Sequence, residues 1–149
     1  MHLRNSITRC GKVLTATLCS LSLTLTGCGD ANSQLPVFPV QGTVALKGKV
    51  LANALVVLHP VDTSDPRATA CRATTDANGN FTMSTYKAND GAPEGDYKVT
   101  VECYQLKGSG NSLEPGPNIL PVKYSRPSTT NLTVRIARGT NNSPTIELK

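Results

Sequence analysis

The sequence predicts an all-β protein built as a single antiparallel β-sandwich of about seven short strands. Three observations carry that expectation. Several segments alternate apolar and polar residues with period two, the pattern of strands that bury one face. Stretches rich in Gly, Pro, Asn and Asp separate these segments at regular intervals, as in sandwiches with hairpin connections. No stretch of helical period and useful length appears after residue 28.

The strands are read in order from Phe38. Val40-Gln41-Gly42-Thr43-Val44-Ala45-Leu46 alternates, the Lys47-Gly48-Lys49 turn follows, and Ala54-Leu55-Val56-Val57-Leu58 is a continuous apolar run suited to a central strand. Pro60 to Pro66 reads as a loop, and Ala68 to Thr74 as a third strand. Asp76-Ala77-Asn78-Gly79-Asn80 is the strongest hairpin signal, with Asn-Gly supplying the positive φ that tight turns need. It sends Phe81 and Met83 to one face. After a turn over Asn89 to Gly95, Tyr97, Val99, Val101 and Cys103 alternate with polar residues and are expected to face inward. Lys107 to Pro121 holds three Gly and three Pro and reads as a long loop, whose end packs down through Ile119, Leu120 and Val122. Leu132, Val134 and Ile136 mark another strand, and Ile146 and Leu148 the last.

The start of the chain has a different character. Arg4, Arg9 and Lys12 stand without an acid in the first twelve residues, and the thirteen residues Val13 to Leu25 carry no charge. That run is shorter than the roughly eighteen residues of a spanning helix, so it reads as the core of a signal peptide. Leu25-Thr26-Gly27-Cys28 then resembles the lipobox of bacterial lipoproteins. The resemblance implies cleavage before Cys28, a diacylglycerol on its thiol and an acyl chain such as palmitate on its amine. Two or more chains are needed for stable anchoring, since each buried CH₂ contributes about 0.8 kcal/mol. The expected organisation is a signal peptide over 1–27, a lipidated flexible tether over 28–37 and a folded domain over 38–149.

Charge excludes some partners. Arg4, Arg9 and Lys12 belong to the leader, so twelve of the fifteen Lys and Arg residues remain against ten acids. No run of Lys or Arg is left that would track a phosphate backbone, and nucleic acid is not an expected partner. Aromatic residues are few and Trp is absent, which leaves little for the stacking platforms on which sugars rest.

Val40-x-Gly42-x-Val44, followed by Gly48, Leu51, Ala54, Val56 and Leu58, Thr75-Asp76-x-x-Gly79-x-Phe81, and Gly95-x-Tyr97-x-Val99-x-Val101, resembles the carboxypeptidase regulatory-like domain. The tail Leu120-Pro121-Val122-Lys123-Tyr124-Ser125-x-Pro127 with Leu132-Thr133-Val134 is similar to small planctomycete-type envelope lipoproteins. The resemblance implies a transthyretin-like (prealbumin-like) sandwich, and a structural, adhesive or carbohydrate-associated role. The matching residues are hairpin and core positions, so they speak to fold more than to activity.

Candidate chemistry is sparse. Cys71 and Cys103 are the cysteines beyond Cys28, and both fall on inward positions. Outside the cytoplasm they can form a disulfide, which across 33 residues would contribute about 3.7 kcal/mol on a loop-entropy account; two separate buried thiols fit the sequence equally. Asp76 to Asn80 places oxygens at alternate positions, but Phe81 stands where a calcium loop needs Gly and Lys87 where it needs a bidentate Glu. A hairpin with Asp76 capping its own turn is the better reading, and no metal site is expected. Beyond the leader there is one histidine, His59, beside Pro60. One histidine does not supply a zinc or iron site or a hydrolase triad, so neither enzyme activity nor a cofactor is expected. An isopeptide bond from Lys47 or Lys49 to Asn131 or Asn142, as in some collagen-adhesin repeats, is disfavoured by their turn or outward positions. Lys123-Tyr124 offers a candidate contact surface, although a solvated lysine beside a packed tyrosine is the better reading.

These readings converge on a non-catalytic structural or interaction module of the bacterial cell envelope. Its partners would be the membrane, through the lipid on Cys28 on the periplasmic or cell-surface side, and an envelope protein or glycan. The alternative is a carbohydrate-binding accessory domain at the cell surface, which requires Tyr86, Tyr104 or Tyr124 exposed together on one face.

Overall fold

The computed structural model describes residues 34–108, 114–139 and 142–149. In chain order the strands are β1 (Val37–Phe38), β2 (Gln41–Leu46), β3 (Lys49–Val50), β4 (Ala54–Pro60), β5 (Cys71–Thr74), β6 (Asn80–Thr82), β7 (Ala92–Pro93), β8 (Gly95–Lys107), β9 (Glu114–Asn118), β10 (Thr133–Ile136) and β11 (Thr145–Leu148), with a 3₁₀ turn at Val122–Tyr124. One sheet runs β10-β8-β4-β5, with β9 on β8; the other runs β11-β2-β3, with β6 also on β2. β1 and β7 pair as a short ribbon beside them. The all-β prediction holds. The eleven strand segments of the described residues exceed the expected seven or so because three of them are two-residue pairings.

The central pair is β4 with β8, antiparallel from Ala54↔Cys103 to Pro60↔Tyr97. Its inward positions are the expected ones: Ala54, Val56 and Leu58 on β4, and Tyr97, Val99, Val101 and Cys103 on β8, are all buried. The second sheet contributes Val44, Ile146 and Leu148 to the same core, and Phe81 and Met83 join it. The two sheets therefore pack face to face, and the apolar area they remove from water supplies the main driving force for folding.

Turn chemistry sets the registers. Lys47 (φ 51°) and Gly48 (φ 75°) form the two-residue loop between Leu46 and Lys49, the doubly positive φ of a type I′ turn. At the predicted Asn-Gly hairpin only Gly79 has positive φ (75°). The Gly79 N–H donates to the Asp76 carbonyl (3.1 Å), and the Asp76 N–H to the Asn80 carbonyl (2.8 Å). This is a three-residue loop with glycine at its left-handed position, not a two-residue one. Gly42 has another role: a Cβ there would lie 2.3 Å from the Pro144 carbonyl oxygen and 2.5 Å from Phe81 Cζ. Absence of a side chain lets the Phe81 ring cross β2.

Three expectations are corrected. The segment read as a loop from Lys107 contains β9, which pairs with an extended β8 at Tyr104↔Asn118 and Lys107↔Glu114. Pro115 and Pro117 lack an N–H to donate, and an edge strand with one neighbour tolerates that. Of the three residues expected to pack its end down, Leu120 is buried but Ile119 and Val122 are exposed. The last strand, β11, runs parallel to β2, from Thr145↔Thr43 to Leu148↔Leu46, so the sandwich is not antiparallel throughout. The first strand, β1, begins at Val37, and the Leu35 N–H before it donates to the Tyr86 hydroxyl (3.0 Å).

Buried polar groups are held within the fold. Thr75 Oγ1 accepts from the Ala54 N–H (2.8 Å) and donates to the Leu51 carbonyl (2.7 Å). Thr130 Oγ1 donates to the Val99 carbonyl (2.7 Å), and the Tyr97 hydroxyl to that of Pro93 (2.8 Å). Among the described residues no buried side-chain nitrogen or oxygen lacks a partner, as a well-formed interior requires.

Candidate functional site

Leu25, Thr26, Gly27 and Cys28, the residues that resemble a lipobox, lie outside the described residues. No helix among the described residues is long and apolar enough to cross a membrane.

Cys71 and Cys103 are both buried and both free. The bridge that the sequence leaves open is not formed, and strand order gives the reason. Cys71 pairs with Leu58 on one side of β4, while Cys103 pairs with Ala54 on its other side. Strands lie about 4.8 Å apart, so the two residues are separated by roughly 10 Å across the sheet and by a further four positions along it. A disulfide needs Cα atoms within about 7 Å. Each thiol instead points to a carbonyl, Thr69 at 3.8 Å and Ala52 at 3.6 Å. Burial raises both thiol pKa values, so neither is an activated nucleophile.

His59 is on the outer face of β4, opposite Lys98 on β8, with Nε2 2.9 Å from Thr100 Oγ1. Partial burial and the nearby Arg72 cation lower its pKa, keeping the ring neutral near pH 7. Its described partners are a hydroxyl and cations, an arrangement without the orienting carboxylate of a catalytic histidine. Asp76 caps its own hairpin, Oδ1 accepting from the N–H groups of Asn78 and Asn80, each at 2.8 Å. Among the described residues no three His, Cys, Asp or Glu side chains are grouped to hold a metal ion.

The three tyrosines are dispersed. Tyr86 is bonded to Leu35 where the chain joins the sandwich. Tyr104 is 42% exposed on β8, its hydroxyl donating to Glu102 (3.1 Å). Tyr124 is buried with the Lys123 ammonium 4.7 Å from its ring centroid, as expected for that pair. No shared stacking face results. Lys47 and Lys49 lie beyond the Leu46 end of β2, whereas Asn142 bridges to Val40 at its other end, so an isopeptide between them has no geometry.

No family model and no curated protein matches the chain. One solved structure resembles it. That structure is a protein of Pseudomonas aeruginosa described as a "putative carbohydrate binding protein", 18% identical with a TM-score of 0.45, over 79% of this chain and 92% of that one.

Three surfaces not evident in the sequence emerge from the packing. On the outer face of the second sheet, Gln41, Thr43, Asn80, Thr82, Ser143 and Thr145 line a shallow depression of about 460 Å³. Its rows follow the registers Gln41↔Thr82 and Asn80↔Thr43↔Thr145, so neutral amides and hydroxyls repeat at strand spacing. Between the edge strands β10 and β11, a 320 Å³ opening is lined by Val99, Leu132, Val134 and Ile146 with polar neighbours. Near the start of β8, Asp62, Asp65, Glu94 and Asp96 rim a pocket of 240 Å³. Arginines answer three of these acids: Arg67 to Asp65 (2.8 Å), Arg138 to Glu94 (3.1 Å) and Arg135 to Asp96 (3.5 Å). Hydrogen bonds from Arg67 hold the Asp65 pKa down to about 2.

Proposed function

We propose that this chain is a lipid-anchored, extracytoplasmic, non-catalytic module of the bacterial cell envelope, with a structural or interaction role. The observation that carries the reading is the order of segments: a basic start, a short uncharged run, the lipobox ending at Cys28, and β1 beginning at Val37. Nine residues between lipid and first strand hold the sandwich close to the membrane by one of its ends. The sequence motifs resemble those of carboxypeptidase regulatory-like domains, and the all-β sandwich supports a module whose sheet faces, edges and loops make contacts.

The test is fractionation of cells expressing the chain or its Cys28→Ala form. The anchored reading requires the native chain in the membrane fraction and its variant released to the soluble extracytoplasmic fraction. Equal membrane retention of both would overturn it.

A second reading, a carbohydrate-binding accessory domain, draws support from the neutral depression on the β6-β2-β11 face. Gln41, Thr43, Asn80, Thr82 and Thr145 offer both donors and acceptors, which suits polyhydroxylated ligands. Without stacking tyrosines beside it such a site is weak singly, and it gains from the density of anchored copies on a surface.

A further inference from the structure

The end of the sandwich farthest from Val37 gathers lysines from three distant parts of the sequence. Lys47 and Lys49 flank Gly48 in the β2–β3 turn. The Lys47 N–H donates to the Leu148 carbonyl (2.8 Å), which brings Lys149 alongside. The Tyr124 hydroxyl is bonded to both the main-chain oxygen and the N–H of Lys149, each at 3.0 Å, and the Lys123 ammonium lies over the Tyr124 ring. All four lysines are exposed, and the ion pairs of the described residues involve none of them. Glu147 stands among them and accepts the Gly48 N–H at 2.8 Å, and the Asp76–Asn80 hairpin packs beside Val50 at the same end.

Tyr124 reports the local field. Burial pushes its phenol pKa up, but the hydrogen bond from Lys149 and the Lys123 and Lys149 cations outweigh burial and bring it below its usual value. At the opposite end Asp65, Glu94 and Asp96 are each paired with an arginine, whereas these four lysines enter none of the ion pairs of the described residues. Exposed cations gathered at one end attract polyanions through the summed potential, and salt screens that attraction.

We propose that Lys47, Lys49, Lys123 and Lys149 form a docking surface for an acidic polysaccharide. This rests on the envelope reading, in which the anchor joins at Val37, the end opposite the lysines. A carboxylated glycan of the envelope is the polyanion that the free end of an anchored domain meets, and the vesicle arm below distinguishes it from anionic lipid. The surface also adjoins the neutral amide and hydroxyl face, because Thr145, Glu147 and Lys149 alternate along β11 toward the same side.

The experiment uses the full chain in neutral detergent over immobilised polygalacturonate, with uncharged dextran and vesicles containing phosphatidylglycerol as further arms. The proposal requires retention on polygalacturonate that weakens with added salt, and a loss of about tenfold in affinity for Lys47→Glu/Lys149→Glu. The control Lys87→Glu/Lys98→Glu makes the same change in net charge elsewhere and is expected to bind as the native chain does. Thermal melting verifies that both variants fold. Absence of binding to polygalacturonate, equal loss in the control, or undiminished binding by the first variant overturns the proposal. Equal binding to dextran overturns it while leaving the carbohydrate reading intact, and preference for the vesicles replaces it with a lipid surface. The Cys28 fractionation described above stands apart from all these outcomes.

Discussion

The Tyr124 hydroxyl donates to the main-chain oxygen of Lys149 and accepts from its N–H, both at 3.0 Å. This two-way contact fastens the 3₁₀ turn to the end of β11, so the segment after β9 closes the lysine-bearing end of the sandwich. Tyr124→Phe keeps the packed ring and removes both bonds. It is expected to lower stability by about 1 kcal/mol in urea unfolding, whereas Tyr124→Ala, which also empties the site, should lose about 3–5 kcal/mol. Equal effects from the two variants would mean that the ring, not the hydroxyl, does not matter.

Two glycines separate the effect of space from that of backbone conformation. At Gly42 a Cβ meets the Pro144 oxygen and the Phe81 ring at 2.3 and 2.5 Å, and at Gly48 (φ 75°) it meets nothing within 4 Å. Gly42→Ala is therefore expected to destabilise by about 3 kcal/mol, because both β11 and a core ring must move. Gly48→Ala should lose only about 1 kcal/mol, the penalty for a left-handed residue. Chemical denaturation of the pair checks the order, and a larger loss at Gly48 would contradict it.

Much of the fold was legible in the sequence. Alternation located β2, β8 and β10 and assigned Tyr97, Val99, Val101 and Cys103 to the core, since burying one face fixes a period of two, and a continuous apolar run located β4. Pairing partners were not legible. Nothing local to Thr145–Leu148 says that it lies parallel to β2, and proline hid β9 because its signature in a strand matches its signature in a loop. Cys71 and Cys103 were rightly placed inward, yet whether two inward thiols meet depends on which strand stands between them. The lysine end was invisible for the same reason: Lys47, Lys123 and Lys149 become neighbours only through the β2–β11 register and the Tyr124 contact.

Asp90 gives the domain an acid-sensitive joint. Its carboxylate accepts the N–H groups of Thr85 (2.7 Å), Tyr86 (3.0 Å) and Lys87 (2.8 Å). Burial pushes its pKa up, but these bonds outweigh burial and the net shift is downward. Asp76 is also shifted down, first through the Asn80 N–H. A carboxyl with a depressed folded pKa contributes stability that is complete above its unfolded pKa near 4 and is lost as pH falls through the folded value. Melting temperature is therefore expected to be flat above about pH 5 and to fall toward pH 2, less steeply in Asp90→Asn, which also melts lower at neutral pH. An identical acid profile for native chain and variant would assign the sensitivity elsewhere.

The free thiols make a redox prediction. Because Cys71 and Cys103 stand on opposite sides of β4, reductant should leave the melting temperature unchanged. Both residues should react with a thiol reagent only after unfolding, given their burial. A fragment mass two hydrogens lighter, linking the two cysteines, would contradict the strand order.

The proposed attachment of the sandwich to a membrane through Cys28 is decided by the mass of the mature chain isolated from cells. An anchored chain is expected to yield an N-terminal peptide that begins at Cys28 and carries a diacylglycerol and amide-linked acyl mass. A mature chain that begins at any other residue, or at an unmodified Cys28, would contradict it.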